Sequence, residues 1–381
     1  MNEIKYKCRC CGSILPEEEL LLYPNMPKSA QFFPDASTVA EEKGVDIILF
    51  QCENCGLIQA IGEPVPYYKD VIRATGVSDS MRLFREKQFS QWVKANNLMG
   101  KKILEVGCGK GEYMDYMEPA NVKVTGLEHL RESVEEGNKA GHKIYNGFIE
   151  SYNYEIPEAP YDGFYIMNFL EHIPKPADFL QGIAHNLSDF GVGIVEVPNV
   201  NMILEKKLYS EFIQDHLMYF TKDSLRLLLE LNGFEVLSCD EIWYNYIISA
   251  CVRKRRKMDV SGFAIQKKKV QREIDAYIAK KETEKKHIAV WGAGHQALAN
   301  LSMLNIAENI DLVIDSAEFK QNKYTPATHI PIVGPDILET GTIQAVIVMA
   351  AGFSDEVKDI MKKKYPAVEC VVLREDRLEI E

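Results

Sequence analysis

The stretch Lys102-Ile-Leu-Glu-Val-Gly-Cys-Gly-Lys-Gly-Glu-Tyr113 decides the fold of the central part of this 381-residue chain. Its first residues form a short apolar strand, and the glycines after it form a turn that opens a helix. About twenty residues later, the strand Val122–Leu127 ends in Glu128, where a carboxylate is placed to accept hydrogen bonds from a ribose diol. A glycine-rich turn alone is a weak signal, but with this acid it predicts an α/β fold that binds a nucleoside.

The chain after Glu128 continues the alternation of strands and helices. A strand at Tyr161–Met167 runs into Asn168-Phe-Leu-Glu-His-Ile-Pro-Lys-Pro176, and the strand Gly193–Val197 ends at Pro198-Asn199. Gly233–Leu237 and Ile247–Val252 are predicted to pair as a terminal hairpin.

This series of motifs resembles the class I S-adenosylmethionine-dependent methyltransferases from Lys101 to Arg253, because three separated motifs agree in order and spacing. The resemblance implies a Rossmann-like core and S-adenosylmethionine as the cofactor. It implies that the glycine-rich turn binds the methionine part of this cofactor and that Glu128 binds its ribose. It also implies that two later segments flank the adenine and the sulfonium of the cofactor. The residues of this implied cofactor site are Glu105, Gly107, Cys108, Gly109, Gly111, Glu128, Phe148, Ile149, Glu150 and Asn168.

Five of the nine cysteines lie in the first 55 residues, and four of them form two C-x-x-C-G knuckles: Cys8 with Cys11, and Cys52 with Cys55. A two-residue gap lets both sulfurs of a turn reach one ion, and the glycine after it permits a positive φ. Four thiolates close the coordination shell, so the pattern predicts a structural Zn²⁺. Chance dithiols or a redox role remain the alternatives.

The composition favours a small-molecule partner. The formal net charge is −12, whereas contacts with nucleic-acid phosphates require a basic face. The amino-terminal residues lack an apolar leader, and the longest apolar run, Ala345–Phe353, is far short of the ~20 residues that span a membrane. We therefore expect a cytoplasmic protein without a nucleic-acid or membrane partner.

The last third of the chain holds a second glycine-rich turn. The strand His287–Trp291 leads into Gly292-Ala-Gly-His-Gln-Ala297, and Asp315 ends the next strand about twenty residues later. Taken locally, this pattern is a dinucleotide fingerprint, so an NAD-dependent oxidoreductase is a rival interpretation. The segment from His287 to Glu381 has barely 95 residues, which is short for a dinucleotide site together with a substrate site.

The sequence Trp291-Gly-Ala-Gly294, followed by Lys320-Gln-Asn-Lys-Tyr-Thr-Pro-Ala-Thr-His-Ile-Pro-Ile332, resembles the carboxy-terminal domain of bacterial sugar C-methyltransferases. In that family a zinc-binding domain, a class I core and a nucleotide-sugar-contacting domain follow in this order. The resemblance implies a zinc-binding domain at 1–62, a helical approach at 63–99, the methyltransferase domain at 100–254, a basic linker helix at 255–286 and a Rossmann-like domain at 287–381. The implied contacts to a nucleotide-linked sugar are Gly292, Gly294, Asp315, Lys323 and His329.

The resemblance also implies a base that removes a proton beside a ketone before the methyl group is transferred. The family's catalytic histidines correspond here to His216, preceded by Asp215, and to His172. The family's tyrosine at the first of these motifs is replaced by Ile213, and its glutamate by the shorter Asp215. Arg73, in the segment before the first long helix, is our candidate for binding a phosphate or oxyanion. O- or N-methylation of a related sugar, and a zinc-containing binding protein without activity, remain alternatives.

Overall fold

The computed structural model describes residues 6–28, 33–70 and 78–380. They form two compact units, residues 1–256 and 257–381, which are described separately. The helices are α1 (Asp79–Ala95), α2 (Met114–Met117), α3 (Arg131–Ala140), α4 (Pro176–His185), α5 (Val200–Glu205), α6 (Lys222–Leu231), α7 (Ser261–Thr283), α8 (His295–Met303) and α9 (Ser354–Lys364). Within the described ranges, no helix is both long and apolar enough to cross a bilayer.

The first unit is built on a seven-stranded sheet in the order β10-β11-β8-β7-β4-β5-β6. Its strands are β4 (Lys102–Val106), β5 (Lys123–Glu128), β6 (Ile144–Asn146), β7 (Tyr161–Met167), β8 (Leu187–Pro198), β10 (Phe234–Ile242) and β11 (Ile247–Lys254). Strands β4 to β8 run parallel, and β10 and β11 form the predicted antiparallel hairpin at one edge. The chain reverses its strand order beside β4, and ligands of open α/β sheets bind at such a switch point.

Helix α1 covers one face of this sheet. Ser78 caps the helix by accepting a hydrogen bond from the Met81 backbone N–H. Phe89, Trp92 and Val93 recur at helical spacing and pack with residues of β4, β7 and β8. Arg85, one turn before Phe89 on the same helix, is also completely buried. The packing therefore places a cation under the carboxyl ends of the strands.

The amino-terminal residues form an antiparallel sheet in the order β1-β2-β3-β9. Its strands are β1 (Leu21–Met26), β2 (Val45–Gln51), β3 (Ile58–Ala60) and β9 (Met218–Tyr219). The last strand comes from the chain that follows β8, so this sheet closes on the same unit. Cys8, Leu15, Phe50 and Leu57 belong to one apolar core with residues of β7 and β8.

The second unit has its own seven-stranded sheet, in the order β14-β15-β13-β12-β16-β17-β18. Its strands are β12 (Ile288–Trp291), β13 (Leu312–Ile314), β14 (Lys323–Tyr324), β15 (Pro331–Val333), β16 (Ala345–Val348), β17 (Glu369–Leu373) and β18 (Leu378–Ile380). Helix α7 buries Val270, Ile274 and Ile278 within this unit. Phe263 and Ile265, near the start of the helix, are 75% and 71% exposed.

Candidate active site

The turn between β4 and α2 is held closed by Glu128. The carboxylate of Glu128 accepts hydrogen bonds from the backbone N–H groups of Gly109 (2.9 Å) and Leu130 (2.8 Å), and Gly107 N–H donates to the Leu127 carbonyl at 2.9 Å. Strand β5 therefore brings the predicted ribose acceptor directly against the glycine-rich turn.

Gly107 is required by both its backbone and its surroundings. Its φ of +71° is a left-handed conformation, and a Cβ at this position would lie 2.8 Å from the Phe169 ring. Gly107 lines a cavity together with Lys69, Leu127, Phe148, Ile149 and Phe169. This cavity beside the glycine-rich turn is the candidate site for a nucleoside ligand.

The other predicted cofactor residues have different surroundings. Glu105 is buried and accepts a hydrogen bond from the Tyr165 hydroxyl at 2.8 Å. The side chain of Cys108 packs among Met114, Val134 and Ile144, so its backbone is the part that faces the turn. Asn168 has a φ of +50°, and its Oδ1 is buried without a hydrogen-bond partner among the described residues.

The last predicted cofactor segment, residues 148–150, forms one wall of the cavity. Phe148 contacts the rings of Tyr68, His129 and Phe179, and Ile149 is buried. Glu150 points towards the surface and pairs with Lys69 at 2.5 Å, and Lys69 also lies 5.1 Å from the centre of the Phe148 ring. Gly111 follows the turn beside His142.

Arg85 is a site residue that the sequence did not predict. Its guanidinium is completely buried, pairs with Glu196 at 2.5 Å and lies 5.5 Å from the ring centre of Tyr113, just after the glycine-rich turn. Among the described residues, Nε and Nη2 of Arg85 have no hydrogen-bond partner. Leaving charged donors buried and unsatisfied is costly, so these two atoms fit an anionic ligand group at the turn. Nothing in the sequence marks Arg85, because it lies on a helix that precedes the first motif by seventeen residues.

The two predicted catalytic histidines meet in space. The rings of His172 and His216 are 4.8 Å apart and nearly perpendicular. Nδ1 of His172 lies 2.8 Å from the Asp215 carbonyl oxygen. A carbonyl can only accept, so Nδ1 carries the proton and Nε2 of neutral His172 keeps a free lone pair. The Asp215 carboxylate accepts a hydrogen bond from the Tyr67 hydroxyl at 2.8 Å.

Burial determines the charge of these histidines. It lowers the pKa of His216 to about 3, with a further contribution from neighbouring His172, and it also lowers the pKa of His172. Both imidazoles are therefore neutral near pH 7, which is the form that accepts a proton. Glu171, next to His172 in the chain, is completely buried, and burial raises its pKa to about 8.

Two phenols lie at this site although the expected tyrosine position holds Ile213. Tyr67 contacts Asp215 as described, and the Tyr219 ring lies 5.9 Å from that of His216. The Tyr219 hydroxyl donates to the Ile213 carbonyl at 3.1 Å and accepts from the Ile213 N–H at 3.0 Å. A phenol thus occupies the neighbourhood of residue 213 from the adjacent strand β9. The sequence alone did not mark Tyr219, because this residue lies outside the motifs that carry the resemblance.

The four knuckle cysteines converge as predicted. Their sulfurs lie within 4.8 Å of one another, with 3.4 Å between Cys8 and Cys55 and 3.6 Å between Cys11 and Cys52. A tetrahedral zinc site with Zn–S bonds of about 2.3 Å has S–S edges of about 3.8 Å, so the donor set fits this ion. Gly12 and Gly56 have φ values of +75° and +73°, as the predicted knuckle turns require. None of the nine cysteines, all of which lie within the described residues, forms a disulfide.

The turn of the second unit repeats the hydrogen bonds of the first. Gly292 N–H donates to the Ile314 carbonyl, and the Asp315 carboxylate accepts from the N–H groups of Ala293 (2.8 Å) and Ala317 (2.9 Å). Asp315 also forms an ion pair with Lys320 at 2.8 Å. Burial alone would raise the pKa of Asp315, but hydrogen bonds from Lys320, Ala317 and Ala293 outweigh it and lower the pKa.

Of the remaining residues predicted to contact the substrate, only some lie at this turn. Gly294 caps α8 beside Gly292, whereas Lys323 and His329 are exposed on the β14–β15 hairpin at the sheet edge. Arg73 lies outside the described residues.

Sequence comparison identifies both parts of the chain. The methyltransferase domain family matches residues 80–239, and the C-methyltransferase C-terminal domain family matches residues 254–369. The C-methyltransferase NovU of Streptomyces niveus is 21% identical over 390 residues, covering 94% of this chain and 92% of that protein. The ubiquinone biosynthesis O-methyltransferase of Actinobacillus pleuropneumoniae serotype 5b is 34% identical over 110 residues, covering 26% of this chain and 46% of that protein.

Among solved structures, an S-adenosylmethionine-dependent methyltransferase from Clostridium acetobutylicum aligns with a TM-score of 0.39 at 13% identity, over 45% of this chain and 92% of that one. The strand order of the first unit and the two matched families agree with the expected α/β class I core. The chain therefore belongs to the S-adenosylmethionine-dependent methyltransferases that carry a C-methyltransferase C-terminal domain.

Proposed function

We propose that this methyltransferase acts on a carbon atom of a nucleotide-linked keto sugar. The observation that carries the proposal is the pair of neutral histidines, His172 and His216, whose loops lie beside the donor cavity: Phe169 lines that cavity and its ring centre is 6.4 Å from that of His172. An oxygen or nitrogen acceptor presents a lone pair, whereas a C–H group beside a ketone requires a base first.

The donor, when bound, supplies an electrophilic methyl group on a sulfonium. In our proposal Glu128 accepts hydrogen bonds from the donor's ribose, and Arg85 forms a charge-assisted pair with its carboxylate through the unpartnered Nε and Nη2. The rings of Phe148 and Phe169 exclude water from the side of the cavity that we assign to the donor's adenine. Alignment of the methyl group with the acceptor carbon then depends on these fixed contacts.

On the acceptor side, we assign proton removal to His216 and its orientation to the neighbouring groups. His172 is held by its Nδ1 hydrogen bond to the Asp215 carbonyl, and Asp215 is held by Tyr67. The hydroxyl of Tyr67, which donates to Asp215, and that of Tyr219, whose ring lies 5.9 Å from the His216 ring, are our candidates for stabilising the enolate oxygen. We assign binding of a nucleotide to the turn at Gly292 and Asp315 of the second unit.

We further propose that Cys8, Cys11, Cys52 and Cys55 hold a structural Zn²⁺. The converging sulfurs and the two knuckle turns support this assignment. Four protein thiolates leave no open coordination position, so the ion would stabilise the amino-terminal sheet and take no part in the reaction.

The function is tested by solvent exchange into candidate sugars. Nucleotide-linked keto sugars are incubated with the enzyme in deuterated water without the donor and are followed by NMR. We expect exchange at one carbon beside the ketone, loss of that exchange in His216→Asn, and no loss in His185→Asn, an exposed histidine at the end of α4. Donor-dependent methylation without any exchange would instead indicate an oxygen or nitrogen acceptor.

A further inference from the structure

Glu171 is a buried ionisable group that the proposed reaction has not used. It lies between Leu170 and His172 in the short helical turn after β7 and is 1% exposed. Its Oε2 is buried and has no hydrogen-bond partner among the described residues. Its backbone carbonyl accepts from Leu217 N–H at 2.9 Å, which ties this turn to the segment that carries His216.

The carboxylate faces the two histidines. Oε1 of Glu171 is 3.9 Å from Nε2 of His172, the ring nitrogen that keeps its lone pair. One ligand atom from each of Glu171, His172 and His216 lies within 4.8 Å of the others. The separations are too long for hydrogen bonds in this state, but contacts between catalytic groups often shorten only when the substrate is bound. A proton can therefore pass among these three groups.

Burial reverses the usual order of basicity within this trio. Desolvation favours the neutral form of every group, so it makes a histidine a weaker base and a carboxylate a stronger one. Here burial lowers the pKa of His216 to about 3 and raises the pKa of Glu171 to about 8. A proton that reaches either imidazole is therefore more stable on the carboxylate.

We propose that Glu171 is the residue on which the proton taken from the acceptor comes to rest, acting through His216 and His172. The substrate C–H bond breaks, its electron pair stays on the enolate, and the proton moves to a histidine nitrogen. It then moves to the Glu171 carboxylate, which becomes a carboxylic acid, and both histidines return to their neutral form. Glu171 later releases the proton to solvent. This inference rests on the proposed carbon methylation, since an acceptor with its own lone pair needs no such proton store.

Among the described residues, the titratable groups around the trio include Tyr67, Asp215, Tyr219 and Tyr246. The Asp215 carbonyl contacts His172 and its carboxylate accepts from Tyr67, the Tyr219 ring contacts that of His216, and Tyr246 is electrostatically coupled to Glu171. Burial raises the pKa of Tyr219 and raises that of Tyr246 to about 12, so neither phenol ionises near pH 8. We therefore assign a titration step near pH 8 in the histidine chemical shifts to Glu171, and a Glu171 variant tests this assignment.

The test uses the full chain labelled with ¹⁵N-histidine and needs no substrate. We expect the ring nitrogens of His172 and His216 to keep neutral chemical shifts and to show one small step with a midpoint near pH 8. The step should be absent in Glu171→Gln, retained in Glu171→Asp, and retained in Glu205→Gln, an exposed glutamate at the end of α5. A step that persists in Glu171→Gln, or histidine nitrogens of the wild type that do not respond between pH 7 and pH 9, would overturn the proposal. Glu171→Gln preserves size, and its fold is checked by circular dichroism, with Glu171→Asp as the second variant.

The same variants separate this inference from the proposed function. If nucleotide-linked keto sugars are methylated, Glu171→Gln should lower kcat at least tenfold at pH 8 and remove the limb of the pH profile that rises towards pH 8, with KM little changed. An unaltered pH profile in Glu171→Gln would refute the role of Glu171 and leave carbon methylation intact. If the histidine chemical shifts respond to the titration of Glu171 but no keto sugar exchanges a proton with solvent, the proposed function fails. The assignment of the substrate as the source of the proton then fails with it.

Discussion

At the scale of single residues, Arg85 makes the sharpest prediction about donor binding. Charged hydrogen bonds contribute about 1.5–3 kcal/mol, so Arg85→Gln should weaken the affinity for S-adenosylhomocysteine about 10- to 100-fold in isothermal titration calorimetry. Arg82→Ala is the matched control on α1, because Arg82 is 43% exposed in its side chain and pairs only with surface acids.

Stability has to be separated from affinity in this experiment. Arg85 forms a buried pair with Glu196, and breaking such a pair costs about 3–5 kcal/mol. Binding is therefore measured at low temperature on variants whose circular dichroism matches the wild type, and Arg85→Lys, which keeps the charge, serves as a second variant. Equal affinities in Arg85→Gln and Arg82→Ala would remove Arg85 from the donor site.

Glu171 also makes a prediction about stability, and its sign follows from proton linkage. Its pKa is raised to about 8 in the folded protein, from 4.5 in the absence of burial, so the folded state binds more protons between these values and stability falls as the pH rises. The histidines contribute the opposite trend, but only below about pH 6.5, where they are charged in the unfolded chain. From pH 6.5 to pH 8 the fall belongs to Glu171.

Over that interval the wild type should lose up to about 2 kcal/mol of unfolding free energy, at 1.36 kcal/mol per pKa unit. Glu171→Gln should abolish the loss and be more stable than the wild type at pH 8 in urea titrations, whereas Glu205→Gln should follow the wild type. A parallel decline in both variants would place the responsible group elsewhere.

At the scale of elements, the turn after β4 tests why glycine is needed. Gly107 and Gly100 have nearly equal φ values, +71° and +73°, so alanine at either position carries a similar backbone cost of about 1–2 kcal/mol. Only at Gly107 does the added Cβ meet another group, the Phe169 ring; at Gly100 nothing lies within 4 Å. We therefore expect Gly107→Ala to lose S-adenosylhomocysteine binding and Gly100→Ala to retain it at the same temperature. Equal binding losses would mean that backbone strain alone is responsible.

The amino-terminal knuckles test the zinc assignment with an internal control. Cys52→Ser should lower the metal content from one zinc per chain to well below one and destabilise the first unit, because structural zinc contributes directly to folding. Cys10→Ser should keep the metal, since Cys10 lies inside the first knuckle but outside the converging set of sulfurs. Elemental analysis of purified protein is the measurement; equal zinc contents in the two variants would contradict the assignment.

The same elements show what a sequence reveals. The turn after β4, the acid at the end of β5 and the two cysteine knuckles were predictable because each is a local pattern with fixed spacing and a backbone requirement. Arg85 and Tyr67 were not, because they reach the site through contacts between segments that are distant in the chain. Tyr219 is close to His216 in the chain but lies in none of the motifs that carry the resemblance. Glu171 stood next to a predicted histidine, but only its burial distinguishes it from a solvated acid.

At the scale of the whole molecule, the chain contains two turns with the same hydrogen bonds, one in each compact unit. In the first, Glu128 accepts a hydrogen bond from the backbone of its own turn; in the second, Asp315 does the same and also pairs with Lys320. An ion-paired carboxylate repels a phosphate-bearing ligand less than an unpaired carboxylate would. The pair with Lys320 is therefore consistent with an anionic nucleotide at the second turn.

The two turns should therefore respond to different ligands. In thermal denaturation of the full chain, we expect Glu128→Gln to lose stabilisation by S-adenosylhomocysteine and keep stabilisation by a nucleoside diphosphate, and Asp315→Asn to show the reverse pattern. A ligand at ~100 times its Kd adds about 2.7 kcal/mol, so each loss is large enough to measure. Each substitution keeps a carbonyl oxygen to accept from its own turn, and each variant is the folding control for the other. Loss of both responses in either variant, or a response of the wild type to NAD at the second turn, would contradict this division of ligands between the units.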